Sequence, residues 1–241
     1  MLNRTRTRIA WTAFLLALFL LPGLASAQIP KKPDQKCINN INKGAAKVAK
    51  AQAGDNSACV KDYGKEKVPS AAACVTSDPK GKVAKAISKI KTSDCTGGAA
   101  PSFLPGLRTD SAAIGNAMTG KDLALIHDLF GIDLDVSIVD AAVDKAGAKC
   151  QAAVAKAVGK CQDAKLSTLN SCKKDHLKNA SSSIPQELQD TCMGSGTGGI
   201  PDGKGKIQKK CGRDFDLAKK CSGTATPLDD LIPGCAPGAT A

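Results

Sequence analysis

The sequence predicts an all-α protein: two disulfide-stapled antiparallel helical hairpins, a diverged internal repeat, with a short connecting amphipathic helix. Three observations carry this expectation. First, ten of the eleven cysteines fall into nested pairs whose residue numbers add to a near-constant total within each half of the chain. These are Cys37 with Cys95 and Cys59 with Cys74, then Cys150 with Cys221, Cys161 with Cys211 and Cys172 with Cys192. A near-constant total is what two antiparallel arms give when facing positions are cross-linked. Second, Cys150, Cys161 and Cys172 recur every 11 residues, and Cys37 and Cys59 lie 22 apart. Eleven residues are about three α-helical turns, so these sulfurs share one helical face. Third, the stretches around the cysteines are rich in alanine and glycine, as in GAAKVAKAQA and QAAVAKAVGK. A disulfide holds its Cα atoms about 4.4–6.8 Å apart, whereas helix axes usually sit about 8–10 Å apart. Stapled helices must therefore approach closely, and only small side chains allow it.

The chain opens with a targeting segment, residues 1–27. Arg4, Arg6 and Arg8 precede an apolar run from Trp11 to Leu21, and Ala25-Ser26-Ala27 forms a small-residue cleavage site. Threonines separate the arginines, which points to the general secretory route and to a bacterial secreted or periplasmic location. No other apolar run is long enough for a transmembrane segment in the mature chain. Export also explains the cysteines, because disulfides persist in oxidising compartments. After the leader, Tyr63, Phe103, Phe130 and Phe215 are the only aromatic residues, so alanine, valine and cysteine must supply most of the buried surface.

The rest divides by composition. Residues 28–36 read as a polar, proline-interrupted tail. Residues 37–95 form the first hairpin, whose first arm places Cys37, Ile41, Ala45, Val48, Gln52 and Cys59 at helical spacing. Gly54-Asp55-Asn56 is expected to bend or break that arm, and residues 65–70 form the turn. The return arm restarts at Asp78-Pro79, read as an N-cap with proline at the first helical position, and turns Val83, Ala84, Ile87 and Ile90 inward. Residues 96–120 are rich in Gly, Pro and Ser and read as a linker. Residues 121–149 hold an amphipathic helix ended by Gly131, then the start of a long helix from Asp133 or Asp135 with Val136, Val139 and Val143 on its apolar side. Residues 150–221 form the second hairpin, its return arm interrupted by a glycine-rich insertion. Residues 222–241 read as a flexible tail.

The halves read as diverged copies. CVTSDPKGKV compares with GIPDGKGKI, and the position matching Cys161 in the first half is Val48, with Ala84 as its mirror partner. The segments CQAAVAKAVGKCQDAKLSTLNSCKKDHLK, DLFGIDLD and CVTSDPKGKVAKAISK resemble those of a family of uncharacterised, secreted, cysteine-rich repeat proteins of environmental bacteria. The resemblance covers most of residues 37–221. It implies stapled helical repeats and no assigned activity. The architecture is also similar to the twin-cysteine helical hairpins of the mitochondrial intermembrane space.

Functional chemistry is sparse. The closest cysteines are ten residues apart and the only histidines are His127 and His176, a pattern foreign to zinc sites. Each histidine is next to an aspartate, but adjacent helical residues point apart, so neither pair is a dyad. Nucleophile-elbow, haem-attachment and phosphate-loop motifs are absent, so no catalytic, metal or cofactor-binding residue is assigned and no enzyme is expected. The net charge is +12, and beyond the leader only Arg108 and Arg213 are arginines. Few arginines and few aromatics argue against specific nucleic-acid recognition. Cys235, in PLDDLIPGCAPG, is the unpaired cysteine and a handle for an intermolecular bridge to another protein. The expected role is an exported non-enzymatic structural or protein-interaction module. The alternative is a binding protein for an acidic polymer, such as an anionic cell-surface polymer held by lysines, or for a small apolar ligand between the hairpins near residues 123–143.

Overall fold

A computed structural model describes residues 31–95, 110–179, 207, 209–213 and 217–235. Helix α1, Lys32–Tyr63, begins with proline and Asp34 in its first turn, where a missing N–H and a negative charge both suit the orphan amides. It runs unbroken through Gly54-Asp55-Asn56, because Asp55 and Asn56 lie on its buried face and Gly54 faces open space. The expected break is therefore absent, and residues 32–36 of the expected tail are helical. After the turn come α2, Ala71–Ser77, α3, Lys82–Ile87, and a 3-10 turn, Ser93–Cys95. Ser70 caps α2 through its side chain, and Asp135 from a distant element accepts from Ala72 N at 3.1 Å.

The N-cap of α3 is Gly81, not Asp78. Asp78 instead ends α2 with φ 45° and reaches forward, accepting from Val83 N and Ala84 N at 3.1 and 2.8 Å. Val83 and Ile90 are buried as expected, but Ala84 is exposed, so it does not face Val48. Helix α4, Ser111–Phe130, corrects the linker reading of residues 111–120: Asp110 accepts from Ala112 N and Ala113 N and starts a helix there. Gly131 ends α4 at φ 92°.

The long helix expected from residue 133 is broken. Helix α5 is only Leu134–Ser137, and α6 starts at Lys145 and runs to Asn179. Between them Gln151, fully buried, satisfies the backbone: it accepts from Val139 N and donates to Ser137 O, both at 2.8 Å. Ala141 N donates to Gly64 O at 2.9 Å. Tertiary partners thus replace the helical bonds of this turn, and Val136 and Val143, expected to face inward, are 81% and 82% exposed. Asp144 then caps α6 at Gly147 N and also accepts from Ala225 N and Thr226 N.

A π-turn, Lys209–Arg213, α7, Leu217–Lys220, α8, Leu228–Leu231, and a 3-10 turn, Pro233–Cys235, complete the described chain. While residues 236–241 lie outside the described residues, Leu231 and Ile232 are 0% and 3% exposed, which corrects the flexible-tail reading for residues 222–235. They join Phe130, Leu134, Val60, Val154 and Cys150 in the larger apolar core, while Cys37, Ile41, Val48, Val83, Ile90 and Ile114 form a smaller one. The most extensive helix contact is between α1 and α6. Asn170 meets Asn42, Asp163 meets Lys50, Gly159 faces Ala53, and Ala148 faces Gly64, so the two helices run antiparallel. All elements described are helical or turn, with no strand among them.

Candidate functional site

Four cysteine pairs come together as disulfides. Cys37 and Cys95 have Cα atoms 4.9 Å apart, and Cys59 and Cys74 5.6 Å. Cys150 and Cys221 are at 4.7 Å, and Cys161 and Cys211 at 4.6 Å. Cys172 is disulfide-bonded, while Cys192, its expected partner, and the side chain of Cys235 lie outside the described residues. The first two pairs tie the return segments of residues 71–95 to α1. The other two tie α6 to segments near residues 211 and 221.

Among the described residues no ion pair joins His127 or His176 to a carboxylate. His127 Nδ1 lies 3.2 Å from Gly131 O and closes the end of α4. Asp55 and Asp78 do meet: their carboxyls are hydrogen-bonded. Burial, then this contact, raises Asp55 above the usual carboxylate range. Burial also pushes on Asp78, but bonds from the Ala84 and Val83 amides outweigh it and hold Asp78 low. Asp55 is 2% exposed, so this contact braces the α2–α3 junction against α1 out of reach of substrate. A second buried acid, Asp122, accepts from Gln162 Nε2, and its backbone carbonyl accepts from Asn56 Nδ2 at 3.1 Å. Burial pushes Asp122 up to about 6. The cavity beside it, lined by Leu125, Ile126 and Leu129 among others, is about 10 Å³. That holds about one water, so this cavity itself has no room for a larger apolar ligand. Among the described residues no three His, Cys, Asp or Glu side chains form a metal-holding group.

The feature that gathers chemistry is an open groove of about 990 Å³ along the α1–α6 seam. From α1 it is lined by Lys32, Lys36, Lys43, Lys47 and Lys50, and from α6 by Lys174 and Lys178. Among the described residues Asp163 is the single acid in its wall, and Lys50 engages it at 2.9 Å. At one end Lys36 binds Asp94 at 2.7 Å, holding that carboxyl below its usual range. Asn39, Asn40, Asn42 and Asn170 add amide groups between the charges. The α1 lysines share a face because they are separated by three, four or seven residues, and from Lys32 to Lys50 they span roughly 27 Å at 1.5 Å per residue. Small residues at the crossing, Ala53 against Gly159, bring the two helices close enough to make one trough of the two lysine faces. By sequence alone these lysines read only as residues able to hold an anionic polymer. Their helical spacing was legible, but not the second helix that faces them.

A second cleft, of about 550 Å³, lies at the other end of α1 and α6. Its floor is alanine, and Lys61, Lys65, Lys145 and Lys149 stand around it. Glu66 and Asp140 also line it, and their hydrogen-bonded carboxyls raise Glu66. Among the described residues no helix is long and apolar enough to cross a membrane. No protein-family model, curated protein or solved structure matches the chain.

Proposed function

We propose that the chain is exported on residues 1–27 and works in the periplasm or outside the cell as a non-catalytic, disulfide-stapled binding module. In this reading the α1–α6 groove holds a linear polymer that repeats an anionic group. One observation carries it: seven lysines on two packed helices line one trough, with a single acid among the described residues there. Such a trough concentrates positive potential and attracts polyanions with a steep salt dependence. Lysines without arginine forks or stacking aromatics suit charge recognition rather than base reading. The two stapled halves belong to the same proposal as diverged copies of one helical hairpin, akin to the secreted cysteine-rich repeat proteins the sequence resembles. Their cross-links keep the trough rigid where little large apolar surface is available for burial.

The test is binding of the oxidised mature protein to long-chain inorganic polyphosphate and to heparin between 50 and 200 mM salt. Binding should weaken steeply with salt. It should fall at least ten-fold in the Lys32→Ala/Lys174→Ala/Lys178→Ala variant. A control with the same charge change, Lys61→Ala/Lys65→Ala/Lys149→Ala, should lose much less. Equal losses in the two variants, or no binding by the wild type, would overturn the proposal. A second reading, contact with another protein, is favoured by Ile132, Val136 and Val143, which are 91%, 81% and 82% exposed on one short segment. Charged replacements there that leave the mass of the complexes formed by the native protein unchanged would remove its support.

A further inference from the structure

Beside the groove, between α1 and the segment after α3, Asn40, Lys43, Gly44, Lys47, Lys89 and Lys91 line a smaller concavity of about 200 Å³. We propose that it is a binding site for a phosphate group, and, resting on the groove reading above, that the polymer held by this protein is a phosphate-bearing one.

The concavity is built rather than incidental. Lys43 and Lys47 are one helical turn apart on α1 and belong to the groove wall as well, so the two sites are continuous. Lys89 and Lys91 come from the segment after α3, on either side of Ile90. Ile90 is buried and presses on Gly44, where a Cβ would stand 3.0 Å from each of its γ-carbons. Glycine at 44 is what lets that segment sit so close to α1. The amides of Lys89 and Ile90 are bonded back to Ala86 O and Ile87 O at 3.2 and 3.0 Å. The disulfide from Cys37 to Cys95 closes the segment a few residues later. The two lysines are therefore presented from an anchored backbone.

Among the described residues no acid lines the concavity; Asp94, which Asn40 binds, is engaged by Lys36 and also feels the charge of Lys91. Four ammonium groups around one hollow repel each other, and a multiply charged anion relieves that repulsion. A phosphate monoester carries about −1.5 to −2 charges at pH 7 and three strong acceptor oxygens, whereas a carboxylate brings one charge. Lysine is a compact point-charge donor suited to phosphate without bidentate geometry.

Calorimetric titration with inorganic pyrophosphate, orthophosphate and sulfate tests the site on the oxidised protein. Pyrophosphate should bind best. Lys89→Ala/Lys91→Ala, two exposed positions, should weaken pyrophosphate at least ten-fold, and the groove variant Lys32→Ala/Lys174→Ala/Lys178→Ala should change it less than two-fold. Long-chain polyphosphate should be weakened by both variants, and heparin mainly by the groove variant. Pyrophosphate that binds the wild type and Lys89→Ala/Lys91→Ala alike, or does not bind, overturns the phosphate site. If heparin and polyphosphate still bind through the groove in that case, the groove reading survives alone. If pyrophosphate binds as expected and neither polymer does, the site takes free phosphate groups and the polymer reading falls.

Discussion

Replacing Asp122 with asparagine should stabilise the protein at neutral pH by about 3 kcal/mol and have little effect near pH 3.5. Asp122 is 1% exposed, on α4 between α1 and α6. One carboxylate oxygen accepts from Gln162, and the other is buried with no hydrogen-bond partner among the described residues. Burial raises its pKa from 3.8 to about 6, and the Gln162 bond only partly opposes this. A gap of about two units between folded and unfolded states is worth about 3 kcal/mol. Because the folded pKa is the raised one, this stability is fully present below the unfolded value. It is lost as pH rises through the folded value. Asparagine keeps the acceptor for Gln162 and removes the charge. Chemical denaturation of the disulfide-intact proteins, followed by far-UV circular dichroism at pH 3.5 and 7.5, reads the difference. Asp135 and Asp144 have lowered pKa values, through bonds from Ser70 and from the Gly147 amide respectively, and give the opposite slope. Both proteins share that slope, so it cancels. Parallel pH profiles for the two proteins would refute the argument, as would a variant less stable than wild type at pH 7.5.

The staples should differ in worth. Removing Cys150–Cys221, which closes a separation of 71, should cost about 4 kcal/mol, and removing Cys59–Cys74, with a separation of 15, about 3 kcal/mol, in paired alanine variants compared by denaturation. Two glycines of α4 should respond oppositely. Gly115→Ala places a Cβ 2.5 Å from Ile87 and should cost about 1–3 kcal/mol, whereas Gly120→Ala meets nothing within 4 Å and should gain up to about 1 kcal/mol. Leu231→Ala should cost about 2–5 kcal/mol, a loss that a flexible tail would not show. Thermal unfolding of each variant checks the signs.

Helicity and four of the cysteine partnerships were legible because both rest on spacing along the chain. A helix repeats its face every three to four residues whatever it packs against. Cys37, Ile41, Val48, Gln52 and Cys59 could therefore be placed on one buried face of α1 from their numbers. Spacing misled where a long-range partner outbid the local pattern. Val136 and Val143 continue a helical stripe, yet Gln151 and Gly64 take up backbone groups of residues 137–141 and turn the chain instead. Ser111 to Gly120 read as linker by composition, yet the Asp110 side chain caps a helix there. The stretch holding Leu231 and Ile232 read as a flexible tail, but Gln151 also donates to Leu231 O and Asp144 holds residues 225 and 226. The groove lies furthest from the sequence. Its lysines have ordinary helical spacing, and alanine and glycine are so frequent that many close helix crossings are available. The contact of Ala53 with Gly159 selects one of them. The sequence by itself therefore determined which residues share a helix face and which sulfurs can meet. Only the tertiary structure decided which faces oppose each other, because that choice depends on shape complementarity between segments about a hundred residues apart.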